Sequence, residues 1–486
     1  MYSRNRLEDN LKMASDANSP GKGQGRGWVA VTVPAPSRVD PLALAGVRSG
    51  LSIYWEKPSE GTALAGFGVA AVEEATERES AFALLEKLSQ EDILWGQGPR
   101  PEGPWFGGLA FDLSRQLTNG WTGFPLSRWI LPESMVWTRN NESYITGFAR
   151  AGSVTQEQLL SRVRALSIQL PSGRREPSQP KKELSVRADP SAWATLMEEA
   201  LSAIGARSNV DLALPQAGLS QAALPRAGLS QGALPKAGLP QAGLPQAGLS
   251  KVVVARSIDV TAPSDFDTLE VLARLRAYAP SCTTFLFRGA EGAIFVGSTP
   301  ETLCRLSNGV VETESLAGTA PPDEEVGWLE RDKERREHSA VTDAIREGLR
   351  PLSQSVEVFE PRELILRNVK HLRTPMRATL LPGVGAAEVV RALHPTPAVG
   401  GTPRERAIAF LQEHEGMERG WYTGAVGWLG PSAAEFKVGV RSALLNGRKA
   451  RVFVGAGVVA GSTVEGEWQE TEAKGALMLN ALGGGT

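Results

Sequence analysis

The sequence predicts an α+β protein, and three observations lead there. Short β-prone segments come in clusters, interrupted by helices, instead of alternating in regular βαβ units. Glycine or proline bounds most of them. Near the end, three successive apolar runs, Trp421 to Leu429, Glu435 to Leu445 and Arg451 to Val459, read as antiparallel strands that lead into a helix.

Residues 1–27 are polar and glycine-rich, lack the apolar stretch of a signal peptide, and read as a disordered N-terminal tail. Residues 28–204 form the first part of the fold. Here Ile53 to Glu56, Ala65 to Ala70 and Trp105 to Asp112 are β-prone, and Val72 to Leu88 is helical by its Ala, Leu and Glu content. Pro171 to Lys182 reads as a surface linker, and Trp193 to Ile204 as a helix. An insertion follows at 205–250, in which leucine recurs every fifth residue from Leu214 to Leu249. A period of five fits neither helix nor strand, and prolines at 215, 225, 235, 240 and 245 block a continuous helix, so a largely disordered surface loop is expected. Residues 251–486 form the last part. Lys251 to Arg256 is a strand, Phe266 to Tyr278 a helix, and Cys282 to Arg288 and Ala293 to Gly297 are strands. Asp332 to Arg350 and Arg404 to Glu415 are helices, with a strand at Arg377 to Leu381 between them.

Bulk composition excludes several classes. The 486 residues are 42% hydrophobic and 22% charged, with a net charge of −2, which gives no argument for nucleic acid or an anionic membrane as partner. No apolar run is long enough to span a bilayer. Two cysteines, Cys282 and Cys304, are too few for a disulfide framework or a zinc site and read as core residues of a cytoplasmic protein.

The chemistry gathers at the C-terminus. Gly455-Ala456-Gly457-Val458 reads as a strand end whose glycines admit a ligand close to backbone. In Gly466-Glu467-Trp468-Gln469-Glu470-Thr471-Glu472-Ala473-Lys474, the spacing i, i+3, i+7 puts Glu467, Glu470 and Lys474 on one helical face, continued by Leu477. Two carboxylates on a half-buried face need a counter-charge, which a hard divalent cation holding an anionic substrate would supply. Glu337 shares a helical stripe with Val341, Ala344, Ile345 and Leu349, so it either makes a salt bridge or joins Glu467 and Glu470 around a Mg²⁺ ion. Lys251 opens an apolar strand, where it either snorkels to the edge or serves as a desolvated base. Glu301 follows the turn Gly297-Ser298-Thr299-Pro300, as a helix-dipole acid or as a group aimed into a cleft. Leu316-Ala317-Gly318-Thr319 is a simple turn or a close-contact segment. His394-Pro395-Thr396-Pro397-Ala398-Val399-Gly400-Gly401 is a rigid loop that connects elements or lines a pocket. Arg441, near the middle of its apolar run, faces solvent or grips a carboxylate.

Taken in order, these segments closely resemble the chorismate-utilising enzymes, a family that includes isochorismate synthase, salicylate synthase, anthranilate synthase component I and aminodeoxychorismate synthase. The resemblance is strong over about residues 250–480 and looser through Tyr54-Trp55 and Trp105 to Phe111; the five-residue repeat has no counterpart in it. It implies a single large α+β domain of two orthogonally packed β-sheets with helices outside, as in anthranilate synthase component I. It implies Mg²⁺ held by Glu337 and Glu470, with Glu467 close by, and substrate contacts from Gly318, Thr319, His371, Ala398, Arg441, Gly455 and Lys474. Lys251 corresponds to the general base and Glu301 to the general acid. Within the family, the anthranilate branch has glutamine where Lys251 stands, the aminodeoxychorismate branch has a nucleophilic lysine where Ala317 stands, and salicylate synthases have threonine where Ala398 stands. The expectation is therefore water attack on chorismate giving isochorismate, by a monomer without a glutamine amidotransferase subunit, for menaquinone or catechol siderophore synthesis. Deletion of about residues 213–248 is expected to leave turnover nearly intact; a folded deletion variant without activity would refute the loop reading.

Overall fold

The computed structural model describes residues 27–167, 173–178, 184–205, 248–320, 322–323, 332–367 and 369–484. The expected tail (apart from Gly27) and the repeat up to residue 247 lie outside the described residues. The last leucine of the repeat, Leu249, is buried in the core.

Two sheets organise the described residues, one of 13 strands and one of 10. In the first, Lys251–Thr261 lies beside Lys449–Val458, followed in space by Ser442–Asn446, Ile294–Thr299, Thr283–Arg288 and Leu51–Lys57. In the second, Lys370–Leu380 lies beside Val310–Ala320, followed by Thr302–Ser307, Ala433–Val438, Ala425–Leu429 and Trp105–Leu109. Pairing is antiparallel except where Ile93–Trp95 runs parallel to Trp28–Pro34.

Aromatic side chains from both sheets meet in one core. Phe285, Phe287, Phe295 and Phe453 of the first sheet share it with Trp105, Phe106, Trp129 and Phe436 of the second. Trp421 packs edge-on against Phe124, Phe287 and Phe295, with ring centroids 5.0, 5.9 and 6.3 Å away. Each such ring removes a large apolar area from water, worth about 25 cal/mol per Å². A second apolar cluster lies between the first sheet and helices Pro41–Val47, Thr268–Tyr278 and Val464–Leu482. Both cysteines are free and buried.

Four element expectations need correction. Val72 to Leu88 is not one helix: Ala71–Ala75 is a strand paired with Ser127–Leu131, and the helix is Arg78–Ser89. Sheet pairing overrides the helical preference of the Val-Glu-Glu-Ala run. The strand expected at Arg377 to Leu381 is the end of the longer Lys370–Leu380, whose central Pro375 hides its alternating pattern. Trp421 to Gly424 is a turn ahead of Ala425–Leu429. Glu435 to Leu445 is two strands in two different sheets, Ala433–Val438 and Ser442–Asn446, so Arg441 stands at a corner with φ 51° and not within a strand. The apolar run is continuous through the corner because Ala433–Val438 buries Ala434, Phe436 and Val438 in the shared core while Ser442–Asn446 buries Ala443 and Leu445 in the second cluster.

The sheets are also tied by charge. Lys57, 3% exposed on the first sheet, places Nζ 3.0 Å from Glu435 on the second, 3.0 Å from Glu60 and 3.6 Å from Glu102. The Trp428 indole N–H donates to the same Glu435 oxygen. Lys57→Met leaves Glu435 with Lys437, 3.5 Å away, and the Trp428 N–H, and is expected to cost about 1–3 kcal/mol in denaturant unfolding.

Candidate active site

The two sheets exchange strands more than once: Ser127–Leu131 of the second runs through Pro132 and Glu133 into Ser134–Arg139 of the first, and another pair of crossings builds the site. Ile294–Thr299 leaves the first sheet and continues through Pro300 and Glu301 into Thr302–Ser307 of the second. Ala433–Val438 makes the reverse crossing through Gly439, Val440 and Arg441. The crossings bond to each other: Ser298 N–H donates to Arg441 O at 3.1 Å, and Val438 N–H to Glu301 O at 3.1 Å. Glu301 N–H donates to Thr299 Oγ1 at 3.2 Å, and that hydroxyl donates to Val438 O at 2.7 Å. The expected turn at Gly297 to Pro300 is therefore a strand end, and Glu301 sits in the crossing itself, with no helix after it.

A small cleft, partly open to solvent, lies at these crossings. Glu301, Gly318, Thr319, Glu337, His371, Ala398, Arg441, Gly455, Glu470 and Lys474 all line it. Lys251 and Glu467 are buried but are not among its lining residues. Lys251 sits behind Glu337, its Nζ 2.9 Å from Glu337 Oε1. Glu467 lies one turn before Glu470 on helix Val464–Leu482, which Thr463 caps by accepting Gly466 N–H.

Gly318 interrupts no strand. It is a bulge within Val310–Ala320, with φ 75°, which a side chain would strain. The bulge turns the Gly318 carbonyl and the Thr319 hydroxyl toward His371 Nδ1, each at 3.2 Å. Arg441 Nη2 is 3.3 Å from His371 Nε2, and because a guanidinium only donates, Nε2 must accept and Nδ1 must carry the proton. Burial, helped by Arg441 and Lys474, holds His371 well below the ordinary histidine range, so it is neutral. Arg441 Nη1 donates to Lys474 O at 3.3 Å, and Lys474 Nζ donates to Gly455 O at 3.1 Å and pairs with Glu470. Burial pulls the Arg441 guanidinium below its usual value without threatening its charge. Burial, then the neighbouring Glu314, pushes Glu301 up to about 7 against the cations Lys251, Lys474 and Arg441.

The loop with Ala398 is anchored from below. The buried His394 ring contacts Ala110 O at 2.9 Å through Nε2. Arg419, in a buried pair with Glu415, donates from Nη1 to Val399 O at 2.8 Å and from Nη2 to Val253 O. One guanidinium thus joins the loop to the strand that begins with Lys251. Sequence reasoning missed Arg419, and it missed Tyr422, which lines the cleft stacked on Phe453 with ring centroids 5.2 Å apart. Neither lies in a recognisable motif; a buried Glu415-Arg419 spacing of i, i+4 was the available signal for the first.

Among the described residues, no three or more His, Cys, Asp or Glu side chains gather as a ready metal cluster. Two carboxylates, Glu337 and Glu470, do face the same cleft, each beside a lysine. Hard oxygen donors few in number suit a Mg²⁺ ion that keeps water and takes substrate oxygens; they do not suit an all-protein cage.

The chain matches the family described as chorismate binding enzyme over residues 15–212 and 242–483, and it belongs to that family. The match skips part of the five-residue repeat. Over 247 residues the chain is 39% identical to the salicylate biosynthesis isochorismate synthase of Pseudomonas aeruginosa, a match that covers 48% of this chain and 52% of that protein. Over 243 residues it is 37% identical to the isochorismate synthase MenF of Escherichia coli K12, covering 48% of this chain and 56% of that protein. The chain thus spans about half the length of the curated relatives it matches. The solved structure of MenF, the menaquinone-specific isochorismate synthase from Escherichia coli, superposes with a TM-score of 0.71 at 23% identity, over 98% of this chain and 99% of that one. That likeness establishes the two-sheet α+β fold.

A Cβ on Gly457 would sit 2.8 Å from Glu337 Oε1 and 3.2 Å from Lys251 Cε. Both are ends of flexible side chains, so Gly457→Ala is expected to displace the ion pair and not the strand. Turnover should fall about tenfold to a hundredfold while the melting temperature barely moves, as steady-state kinetics and thermal unfolding would show.

Proposed function

We propose that the protein is an isochorismate synthase, a hydroxymutase that adds water at C2 of chorismate and expels the C4 hydroxyl. The observation that carries this reading is a buried carboxylic acid, Glu301, held up to about 7 on the cleft wall, with the buried Lys251 just behind that wall on Glu337. Among family branches, Lys251 together with Ala317 and Ala398 favours water as nucleophile and retention of the enolpyruvyl group.

The substrate is a dicarboxylic acid, and the cleft offers Arg441 and Lys474 as fixed cations, with neutral His371 holding Arg441 in place. The Gly318 bulge and Gly455 let backbone approach the ring closely. Tyr422 and Ala398 supply apolar walls that restrict water to the face it must attack. Glu337 and Glu470 would hold Mg²⁺, with Glu467 supporting Glu470 from the previous turn; a bound Mg²⁺ supplies charge neutralisation and orientation of the ring carboxylate. Lys251, held 2.9 Å from Glu337 Oε1, would in its neutral form take the proton from the attacking water. Glu301 delivers a proton to the departing hydroxyl while the ring double bonds shift. No ammonia enters, so no amidotransferase subunit is needed, and the protein acts as a cytoplasmic monomer on a small-molecule substrate. No helix among the described residues is long and apolar enough to cross a membrane.

Incubation with chorismate and Mg²⁺, with and without EDTA, followed by chromatography, tests the reading. Isochorismate that forms only with free Mg²⁺ is expected; salicylate with pyruvate, or intact chorismate, would overturn it. Lys251→Ala and Glu301→Gln are each expected to lower kcat by at least about a hundredfold in the same assay. Because Glu301 must be protonated to act and sits at about 7, the rate should fall as pH rises through that value.

A further inference from the structure

We propose that Glu314 is a positioning residue for Glu301: it fixes the Glu301–Thr302 peptide and sets its own charge beside the Glu301 carboxyl. The proposal rests on Glu301 being the proton donor of the reading above.

Glu314 lies on Val310–Ala320, the hairpin partner of the strand that leaves Glu301. It is 6% exposed. Its Oε1 accepts Thr302 N–H at 3.1 Å, the amide on the C-terminal side of Glu301. Its Oε2 accepts from Arg373 Nε. The Thr302 hydroxyl is held from the other side by Lys437 Nζ at 2.8 Å, and Glu301 O accepts Val438 N–H. The backbone around Glu301 is therefore fixed on every side, and the carboxyl is free to respond only to its charged neighbours.

Those neighbours come from four other elements. Lys251 on its strand, Lys474 on the C-terminal helix and Arg441 at the second crossing all favour the ionised acid. Tyr422 faces it from the turn before Ala425–Leu429 and feels Glu301 in return. Glu314 opposes the three cations, with burial on its side, while the cleft carboxylates Glu337 and Glu470 are each paired with a lysine. Glu312, two residues earlier on the same face, pairs with Arg377 in an exposed contact at 2.8 Å, so Glu314 and Arg373 form the inner rung of a ladder of ion pairs. A purely structural rung would leave Glu301 indifferent to the charge on Glu314. A charge-setting rung would not.

Glu314→Gln separates the two, since the amide oxygen keeps the bond to Thr302 N–H while the charge, and with it the acceptor for Arg373 Nε, is lost. The midpoint of Glu301 is read directly in the full-length protein by carbon NMR of labelled glutamate, its signal assigned by absence in Glu301→Gln. In Glu314→Gln that midpoint is expected to fall by about one pH unit, with the alkaline limb of kcat/KM for chorismate moving equally and its maximum kept within about threefold. Glu314→Ala should show the same displacement with a lower maximum, because the Thr302 tether is gone. An unchanged midpoint in a folded Glu314→Gln protein overturns the proposal whatever the activity. A shifted midpoint with full turnover by Glu301→Gln would instead reject Glu301 as the acid, and with it any catalytic consequence of Glu314.

Discussion

The reciprocal crossing of two strands between the sheets is the constraint on which the cleft depends. Each crossing removes residues from a ladder, which would leave buried N–H and C=O groups without partners at a cost of about 1–3 kcal/mol each. The crossings answer that cost with each other, through Ser298 to Arg441 and Val438 to Glu301. Their backbones are thereby fixed, and the side chains at the corners are free to carry charge into the gap between the sheets. Glu301 and Arg441 are those side chains. The left-handed backbone of Arg441 is part of the same corner, and Gly439 is required there because a Cβ would come within 2.7 Å of Trp421 O.

Charge placed in such a gap must be balanced locally. Glu337 has Lys251, Glu470 has Lys474, and Arg441 leans on the neutral ring of His371 and a helix carbonyl. Two lysines hold the two carboxylates that face the cleft. Rigidity comes from outside these pairs. Arg419 bridges the Ala398 loop to the Lys251 strand, and Lys57 and Glu435 pin the sheets together.

Most secondary structure in the C-terminal half was legible because periodicity and breakers agree there, as in Arg404–His414 and Lys449–Val458. It failed where a local signal contradicts a tertiary one. Pro375 in the middle of Lys370–Leu380 speaks against a strand, yet the strand has partners on both sides. The Val-Glu-Glu-Ala run speaks for a helix, yet it pairs at a sheet edge. The break at Gly439 to Arg441 leaves no mark, because the strands on either side of it both bury apolar residues, one in the shared core and one in the second cluster.

Sequence by itself determined the family, the α+β class and the identity of nearly every charged group at the cleft, because those groups sit in short segments whose order and spacing are distinctive. Only the tertiary structure decided which groups touch. It placed Lys251 behind Glu337 instead of on the cleft wall, turned Gly318 into a bulge, put Arg441 at a corner, and brought Glu314 to the peptide after Glu301. The reason is one of range: residue type and local period fix which face a side chain takes on its own element, whereas its partner and its field are set by elements far away in the chain.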